Sequence, residues 1–206
     1  FQWRGEIGEL EALVGRPADV LHGESSTFAV KVASRPLNLS LTGTIAGGAR
    51  WLMEARLAVS SDRLRSLMTL TDQQWTPPGR LELFKMSGQL RALPQSMSLT
   101  DMKLQMDANA FEGSLTFRSS DERPVLSGTL AARAFEIGQS DLGLPAMRGV
   151  DRQWSREAFT PPRLDLFDAD LRVSANKVRL GQFAMSDVGA VLSLNQGQLE
   201  VTLAGA

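Results

Sequence analysis

The sequence predicts a mainly β protein: one elongated, mostly antiparallel twisted sheet or open groove, built of repeats, with a few short helices. Three observations predict this fold class. Apolar and polar residues alternate along most of the chain, helical periodicity is sparse, and short segments recur in the same order. Because successive side chains of a strand lie on opposite faces, the alternation predicts a sheet with one apolar and one polar face.

The clearest predicted strand reads LNLSLTGTI and runs from Leu37 to Ile45, with an apolar residue at most odd positions. Gly47-Gly48 then supplies a tight connection, and the alternation resumes from Trp51 to Val59. The two strands therefore form a predicted hairpin. The same alternation recurs at 102–106, 111–117, 126–130, 188–194 and 199–203, so roughly ten strands are expected.

Two changes of phase indicate bulges or bends. The pattern Leu81-x-Leu83 gives way to Phe84-x-Met86, and Leu164-x-Leu166 gives way to Phe167-x-Ala169. An inserted residue reverses the faces of all residues after it, which explains such a switch.

Helix is predicted in two places. Between Gly5 and Val14 the apolar residues are spaced for one helical face, and Ser61 to Leu70 begins with a capping residue, Ser61 or Asp62. The long stretch from Ile137 to Arg163 contains few strand signals, so we expect a crossover with short helical turns.

An internal repeat is the second organising feature. The segment TPPGRLELF at 76–84 is echoed by TPPRLDLF at 160–167, and DQQW at 72–75 is echoed by DRQW at 151–154. Asp101-Met102 and Asp187-Val188 match in the same order. We predict a single repeated β domain over 1–206, with a partial unit at 1–36 and units at 37–110 and 111–206, from a longer chain. Copies with one apolar face must extend one sheet or fold over one another.

Composition excludes several function classes. The 22 Lys and Arg residues nearly balance 23 Asp and Glu residues, giving a net charge of -1, so nucleic acid is not an expected partner. The chain has no cysteine, which excludes disulfides and thiolate metal sites. No apolar run approaches the ~18 residues of a membrane span, so any anchor lies outside this sequence.

Catalytic and metal-ligating groups are sparse, and we predict no catalytic residues, no cofactor, no metal site and no enzymatic activity. His22 is the one histidine, and no Gly-x-Ser-x-Gly elbow accompanies it. Asp165, Asp168 and Asp170 invite a calcium interpretation, but the last two alternate with apolar residues, which favours a solvated strand face. A lipid or glycan hydrolase would need a clustered acid, base or nucleophile. Trp75 and Trp154 match in the repeat and fit either loop anchors or a lid.

Three motifs near the C-terminus carry a resemblance to a known family. They are the strand DADLRVSA at 168–175, the step Val178-x-Leu180-Gly181, and the hairpin LSLNQGQL at 192–199. Together with GEIGEL at 5–10 and WSRE at 154–157, they resemble the AsmA family. The resemblance implies a periplasmic protein of the Gram-negative envelope, tethered to the inner membrane by a segment absent here. It also implies a role in outer-membrane assembly and in moving phospholipid along an apolar β-groove, without catalytic residues.

A phospholipid or another acyl-chain ligand would then contact the apolar positions of the strands. We call these positions the predicted lipid floor: Leu39, Leu41, Met53, Leu57, Leu104, Met106, Leu115, Phe117, Leu130, Leu171, Val173, Leu192, Leu194, Leu199 and Val201. The same residues equally suit a dry sandwich core. The alternative function is a non-catalytic structural or interaction module that pairs its sheet edges with envelope-assembly partners.

Overall fold

A computed structural model describes residues 2–3, 6–63, 82–120, 123–137, 167–180 and 183–204. These residues contain one five-residue helix, α1 (Pro17–Leu21), and twelve strands. The strands are β1 (Gln2–Trp3), β2 (Glu6–Val14), β3 (Ser25–Ser34), β4 (Asn38–Ala46), β5 (Leu52–Ser61), β6 (Phe84–Leu93), β7 (Ser96–Met106), β8 (Asn109–Arg118), β9 (Val125–Ile137), β10 (Asp168–Leu180), β11 (Phe183–Asn195) and β12 (Gln198–Ala204). The predicted mainly β fold is confirmed.

The strands follow one another across an open sheet in the order of the sequence. Strands β2 to β12 form a continuous sheet, and β1 adds two residues opposite the start of β2. Every neighbouring pair is antiparallel except β9 and β10, which are parallel. The principal contacts between described elements are those between adjacent strands, with α1 resting on β3 and β4. The described part is therefore one layer of sheet.

Register places the apolar positions of successive strands side by side. One row joins Ala55, Leu90, Leu99, Leu115, Gly128, Leu171, Leu192 and Val201, from β5 to β12. We call the face that carries this row the apolar face and the opposite one the polar face. A parallel row of polar residues crosses the polar face from β3 to β12 through Thr27, Thr44, Glu54, Arg91, Ser98, Thr116, Ser127, Asp170, Ser193 and Glu200.

The best-packed part of the apolar face surrounds Met102, which is fully buried beside Leu90 and Leu99. Glycines make the room for its side chain. Gly113 is the cross-strand partner of Met102, and Gly88 lies opposite the bulge that precedes Met102. A Cβ atom at Gly113 would lie 1.9 Å from the carbonyl oxygen of Thr129, so the strands approach too closely there for any side chain.

A bulge in β7 keeps this face apolar along the whole strand. The pairing register of β7 shifts against β8 between Leu99 and Met102 and against β6 between Thr100 and Lys103, and Asp101 has a φ of 49°. Because the bulge adds one residue, Leu99 and Met102 lie on the same face although three positions separate them. Asp187 in β11 has a φ of 54° and also precedes an apolar-face residue, Val188. The two meanders β6–β8 and β10–β12 are therefore repeat-like.

The predicted helix from Gly5 to Val14 is wrong, because Glu6–Val14 forms strand β2. Pairing with β3 sets Leu10 opposite Val32 and Val14 opposite Phe28 on the apolar face. Ile7 and Leu13 then lie on the polar face, where they are 76% and 60% exposed. Because apolar residues occupy both faces of β2, its sequence does not show the alternation typical of a strand. Tertiary pairing has overridden a local helical pattern.

Several other predictions fall outside the described residues. They are the helix beyond Arg63, the crossover between Ile137 and Arg163, the repeated Pro-Pro segments, and Trp75 and Trp154. The phase changes before Phe84 and Phe167 also depend on residues outside the described ranges. Ser61 itself ends β5. Among the described residues, no helix is both long and apolar enough to cross a membrane.

Candidate functional site

Every residue of the predicted lipid floor lies on the apolar face, as the register of the strands shows. A second row runs along this face through Val32, Leu39, Val59, Met86, Leu104, Phe111, Ala132, Ala175 and Val188. A third joins Met53, Ala92, Met97, Phe117, Leu126, Ala169, Leu194 and Leu199. The alternation read from the sequence therefore predicted one shared surface, across strands that are distant in the chain.

Exposure varies along the apolar face. In the middle, Leu90 and Leu99 are buried, and Leu41, Leu57 and Leu130 pack around them. At the β12 margin Leu199, Val201 and Leu203 remain 53%, 51% and 65% exposed, and at the β2 margin Leu10 remains 60% exposed. A row of neighbours shields the central side chains, whereas the marginal ones have a neighbour on one side only. Large apolar side chains are thus most accessible at the two ends of the sheet.

The polar face carries small hydroxyl residues and cross-strand ion pairs. Oε1 of Glu54 lies 3.6 Å from Nε of Arg91, and Oε2 of Glu11 lies 3.8 Å from Nζ of Lys31. These side chains are more than half exposed, so each pair contributes little, about 0–1 kcal/mol. Asp170 belongs to this exposed face, which confirms its interpretation as a solvated strand residue.

Asp168 has a different role from the one expected. Its Oδ1 accepts a hydrogen bond of 3.0 Å from the backbone N–H of Gln196 and lies 3.8 Å from Nη1 of Arg123. It therefore ties the start of β10 to the β11–β12 turn and to the segment before β9. Within the described part of the chain, no cluster of three or more His, Asp or Glu side chains is arranged to hold a metal ion.

His22 is the C-cap residue of α1, where its Nδ1 lies 2.7 Å from the carbonyl oxygen of Ala18. This contact is local to the helix and leaves the ring exposed. Among the described residues, the fold brings no acid and no nucleophile into hydrogen-bond distance of the ring.

The described cavities open on the polar face. One of about 930 Å³ is lined by Thr42, Glu54, Arg56, Gln89 and Arg91 among others. Another of about 690 Å³ extends from β3 to β8 and carries Lys31, Lys85 and Lys103. Members of the predicted lipid floor that contribute to described cavities are Leu39, Leu104, Leu130, Val173 and Leu199. The rest of the floor lies on the apolar surface itself.

The lysines of the second cavity did not emerge as a group in the sequence. Each occupies a polar position of an alternating strand, which is the usual place for a surface lysine. Their grouping depends on β3, β6 and β7 lying within four strand positions of one another in the sheet. The grouping could not be predicted from the sequence, because no local pattern of residues encodes the order of strands in the sheet.

The chain matches no family model, no curated protein and no solved structure. The resemblance to the AsmA family therefore stays a prediction, and the site has to be interpreted from its own geometry.

Proposed function

We propose that the chain binds phospholipid through its apolar face, as part of a periplasmic AsmA-like protein that supports outer-membrane assembly. One observation carries the proposal: a single-layer sheet whose apolar face, in the described residues, is continuous from β2 to β12 and is not covered by a second layer. Contiguous apolar surfaces of more than a few hundred Å² are rare on proteins that work as soluble monomers, and they mark binding surfaces.

Acyl chains suit this face better than a compact polar ligand does. Most residues that form it are aliphatic, aromatic, methionine or glycine, and its polar residues, Ser26, Ser61 and Asn109, lie near strand ends. The row from Ala55 to Val201 contains no hydrogen-bonding side chain. An acyl chain on this row gains ~0.8 kcal/mol for each CH₂ removed from water. The head group stays in water, because the apolar row offers no polar side chain to replace its hydration.

The margins of the sheet are the expected points of contact. Around Met102 the side chains already pack against one another, so a ligand there covers a filled surface. Near β12 the exposed Leu199, Val201 and Leu203 offer side-chain area that a ligand would remove from water. Passive sliding from one margin along the face would move lipid between membranes without chemistry. The inner-membrane tether and the envelope setting come from the family resemblance alone.

A second candidate, the interaction module, is favoured by the edge strand β12. Its sequence is QLEVTLA, with Glu200 as its one charge, and it pairs with β11 on one side. Such an edge lacks the lysine, proline or bulge that usually blocks strand addition. A partner strand would add main-chain hydrogen bonds there and extend the apolar face.

The discriminating experiment compares two double variants of β12. L199E/V201E places two charges on the apolar face at exposed positions, and Q198E/T202E places two charges on the polar face of the same strand. Both leave the core intact, so circular dichroism should show the same fold. Phospholipid taken up from vesicles is counted by native mass spectrometry.

We expect wild type and Q198E/T202E to carry phospholipid, and L199E/V201E to lose at least about tenfold in uptake, because a charge on the face opposes desolvation by acyl chains. Wild-type protein that carries no phospholipid, from purification or from vesicles, would contradict lipid binding and leave the interaction module. Equal loading of both folded variants would exclude the β12 margin as the contact.

A further inference from the structure

The cavity of about 690 Å³ lies on the opposite side of the sheet from the predicted lipid floor. Most of its lining residues belong to two neighbouring rows of the polar face. One row runs through Lys31, Ser40, Ala58, Ser87, Lys103 and Glu112, and the other through Ala33, Asn38, Ser60, Lys85, Gln105 and Ala110. The row between them belongs to the apolar face, so the two polar rows place the cavity as a trough on the polar face.

Side-chain size gives the trough its shape. Its middle consists of the short residues Ser40, Ala58 and Ser60 on β4 and β5. Long side chains stand on either side, Lys31 on β3 and Lys85 and Lys103 on β6 and β7. Strands lie about 4.8 Å apart, so the walls at β3 and β6 are about 14 Å apart.

The charge of the trough differs from that of the whole chain. Its lining has three lysines and one acidic residue, Glu112, while the protein has a net charge of -1. Lys31 is compensated by Glu11, 3.8 Å away. Among the described residues, neither Lys85 nor Lys103 has a carboxylate within ion-pair distance. Glu112 is the direct cross-strand partner of Lys103, so the lining keeps two positive charges in excess of its one carboxylate.

Lys85 and Lys103 are diagonal neighbours on adjacent strands, because Lys85 pairs with Gln105 and Lys103 pairs with Ser87. Diagonal positions are separated by about 7 Å, and like charges at that distance repel unless an anion lies between them. Ser60 pairs with Lys85 and Ser87 with Lys103, so each lysine has a serine as its cross-strand neighbour. Lysine ammonium groups and serine hydroxyls at neighbouring positions are donors that suit an oxyanion.

We propose that this trough binds a phosphate-bearing ligand, with Lys85 and Lys103 holding the phosphate and the short residues of β4 and β5 accommodating the rest of the ligand. The chemistry is the same for a free phosphorylated molecule and for the head group of an anionic phospholipid. The site does not rest on the proposed lipid floor, because it lies on the other face of the sheet. It would give the protein two ligand surfaces of opposite character.

The test uses the chain as it is, with two probes. Inorganic pyrophosphate is titrated by calorimetry, and vesicles of phosphatidylglycerol are compared with vesicles of phosphatidylcholine in a flotation assay. K85Q/K103Q removes two of the three lysines of the trough, and the matched control is R172Q/K177Q, which removes two cations from the polar face of β10. All four side chains are exposed, and the variants should fold alike.

We expect wild type and R172Q/K177Q to bind at least one anionic probe, and K85Q/K103Q to bind it about tenfold more weakly, with the binding itself weakening as salt is added. Binding of pyrophosphate indicates a free phosphorylated ligand, and binding of phosphatidylglycerol vesicles alone indicates a head group. The proposal is overturned by wild type that binds neither probe, by K85Q/K103Q that binds as wild type does, or by equal losses in both double variants.

Discussion

The ring of Phe135 on β9 meets the ring of Phe111 on β8 edge-on, with centroids 5.2 Å apart and planes inclined by 65°. Phe111 pairs directly with Ala132, which is three residues before Phe135. Strict alternation would place Ala132 and Phe135 on opposite faces, yet both belong to the same apolar cluster, together with Ala175 and Val178. Strands β9 and β10 therefore change phase together, and the apolar face continues past the change.

The aromatic pair should contribute measurably to stability. F135L keeps an apolar side chain but removes the ring, and it should lower the free energy of unfolding by about 1 kcal/mol through loss of the edge-to-face contact. F117L is the matched control, since Phe117 is on the same face without a described ring partner. Urea unfolding of F135L and F117L measures the free energy of unfolding that each variant loses. Equal losses in the two variants would show that the pair adds nothing beyond apolar area.

The fold class and the apolar face shared by the strands could both be predicted from the sequence, because both follow from the alternation of apolar and polar residues within each strand. Leu39, Leu104 and Leu192 were assigned to one surface correctly, since antiparallel register keeps alternate residues in step. In the sequence, Asp101 and Asp187 stand out only as matching residues of the repeat. Their positive φ, which explains why they match, is known only from the structure. Strand β2 was missed because Ile7 and Leu13 are apolar residues on the polar face.

Backbone conformation at the repeated aspartates gives a second prediction. Asp101 and Asp187 both have positive φ, which a β-branched residue adopts at a cost of about 1–2 kcal/mol and glycine adopts freely. D101V and D187V should therefore be destabilised by about that amount, and D101G and D187G by less than about 0.5 kcal/mol. D170V, on the exposed face of β10, should be nearly neutral. Thermal unfolding of the five variants checks the order.

A valine that is tolerated at Asp101 but not at Asp187, or the reverse, would contradict the structural equivalence of the two meanders. Equal effects of valine and glycine at both sites would show instead that φ does not limit these positions.

Close approach of strands at Gly113 gives a third prediction. G113A puts a methyl group against the backbone of β9, where the Thr129 carbonyl oxygen would lie 1.9 Å from it, and Met102 loses its place beside the strand. Because the backbone of β9 must move to make room for the methyl group, we expect a loss of about 3 kcal/mol or more in the free energy of unfolding. S114A, the adjacent residue on the polar face, should cost less than about 1 kcal/mol. A stable G113A would mean that β8 and β9 can separate freely.

The interaction between Asn109 and Glu136 extends the ladder of β8 and β9 beyond the last residue pair. The side-chain Oδ1 of Asn109 accepts a hydrogen bond of 2.8 Å from the N–H of Glu136, and its Nδ2 donates one of 2.9 Å to the carbonyl oxygen of Glu136. The amide thus replaces a peptide group at the end of the strand. It holds the end of β9 next to β8, near the Phe111–Phe135 contact.

Removing this amide should loosen β9 locally rather than unfold the sheet. In N109A both hydrogen bonds are lost, so the Glu136 amide should exchange with deuterium faster by about tenfold, with a global loss of about 1 kcal/mol. N109D keeps the acceptor and should preserve most of the protection of that amide, while N38A, on the exposed polar face of β4, should leave it unchanged. Because Phe135 precedes Glu136 directly, N109A should also weaken the aromatic pair, and F135L should then cost less in N109A than in the wild type. Additive losses in the double variant would show that the side-chain ladder and the aromatic pair act independently.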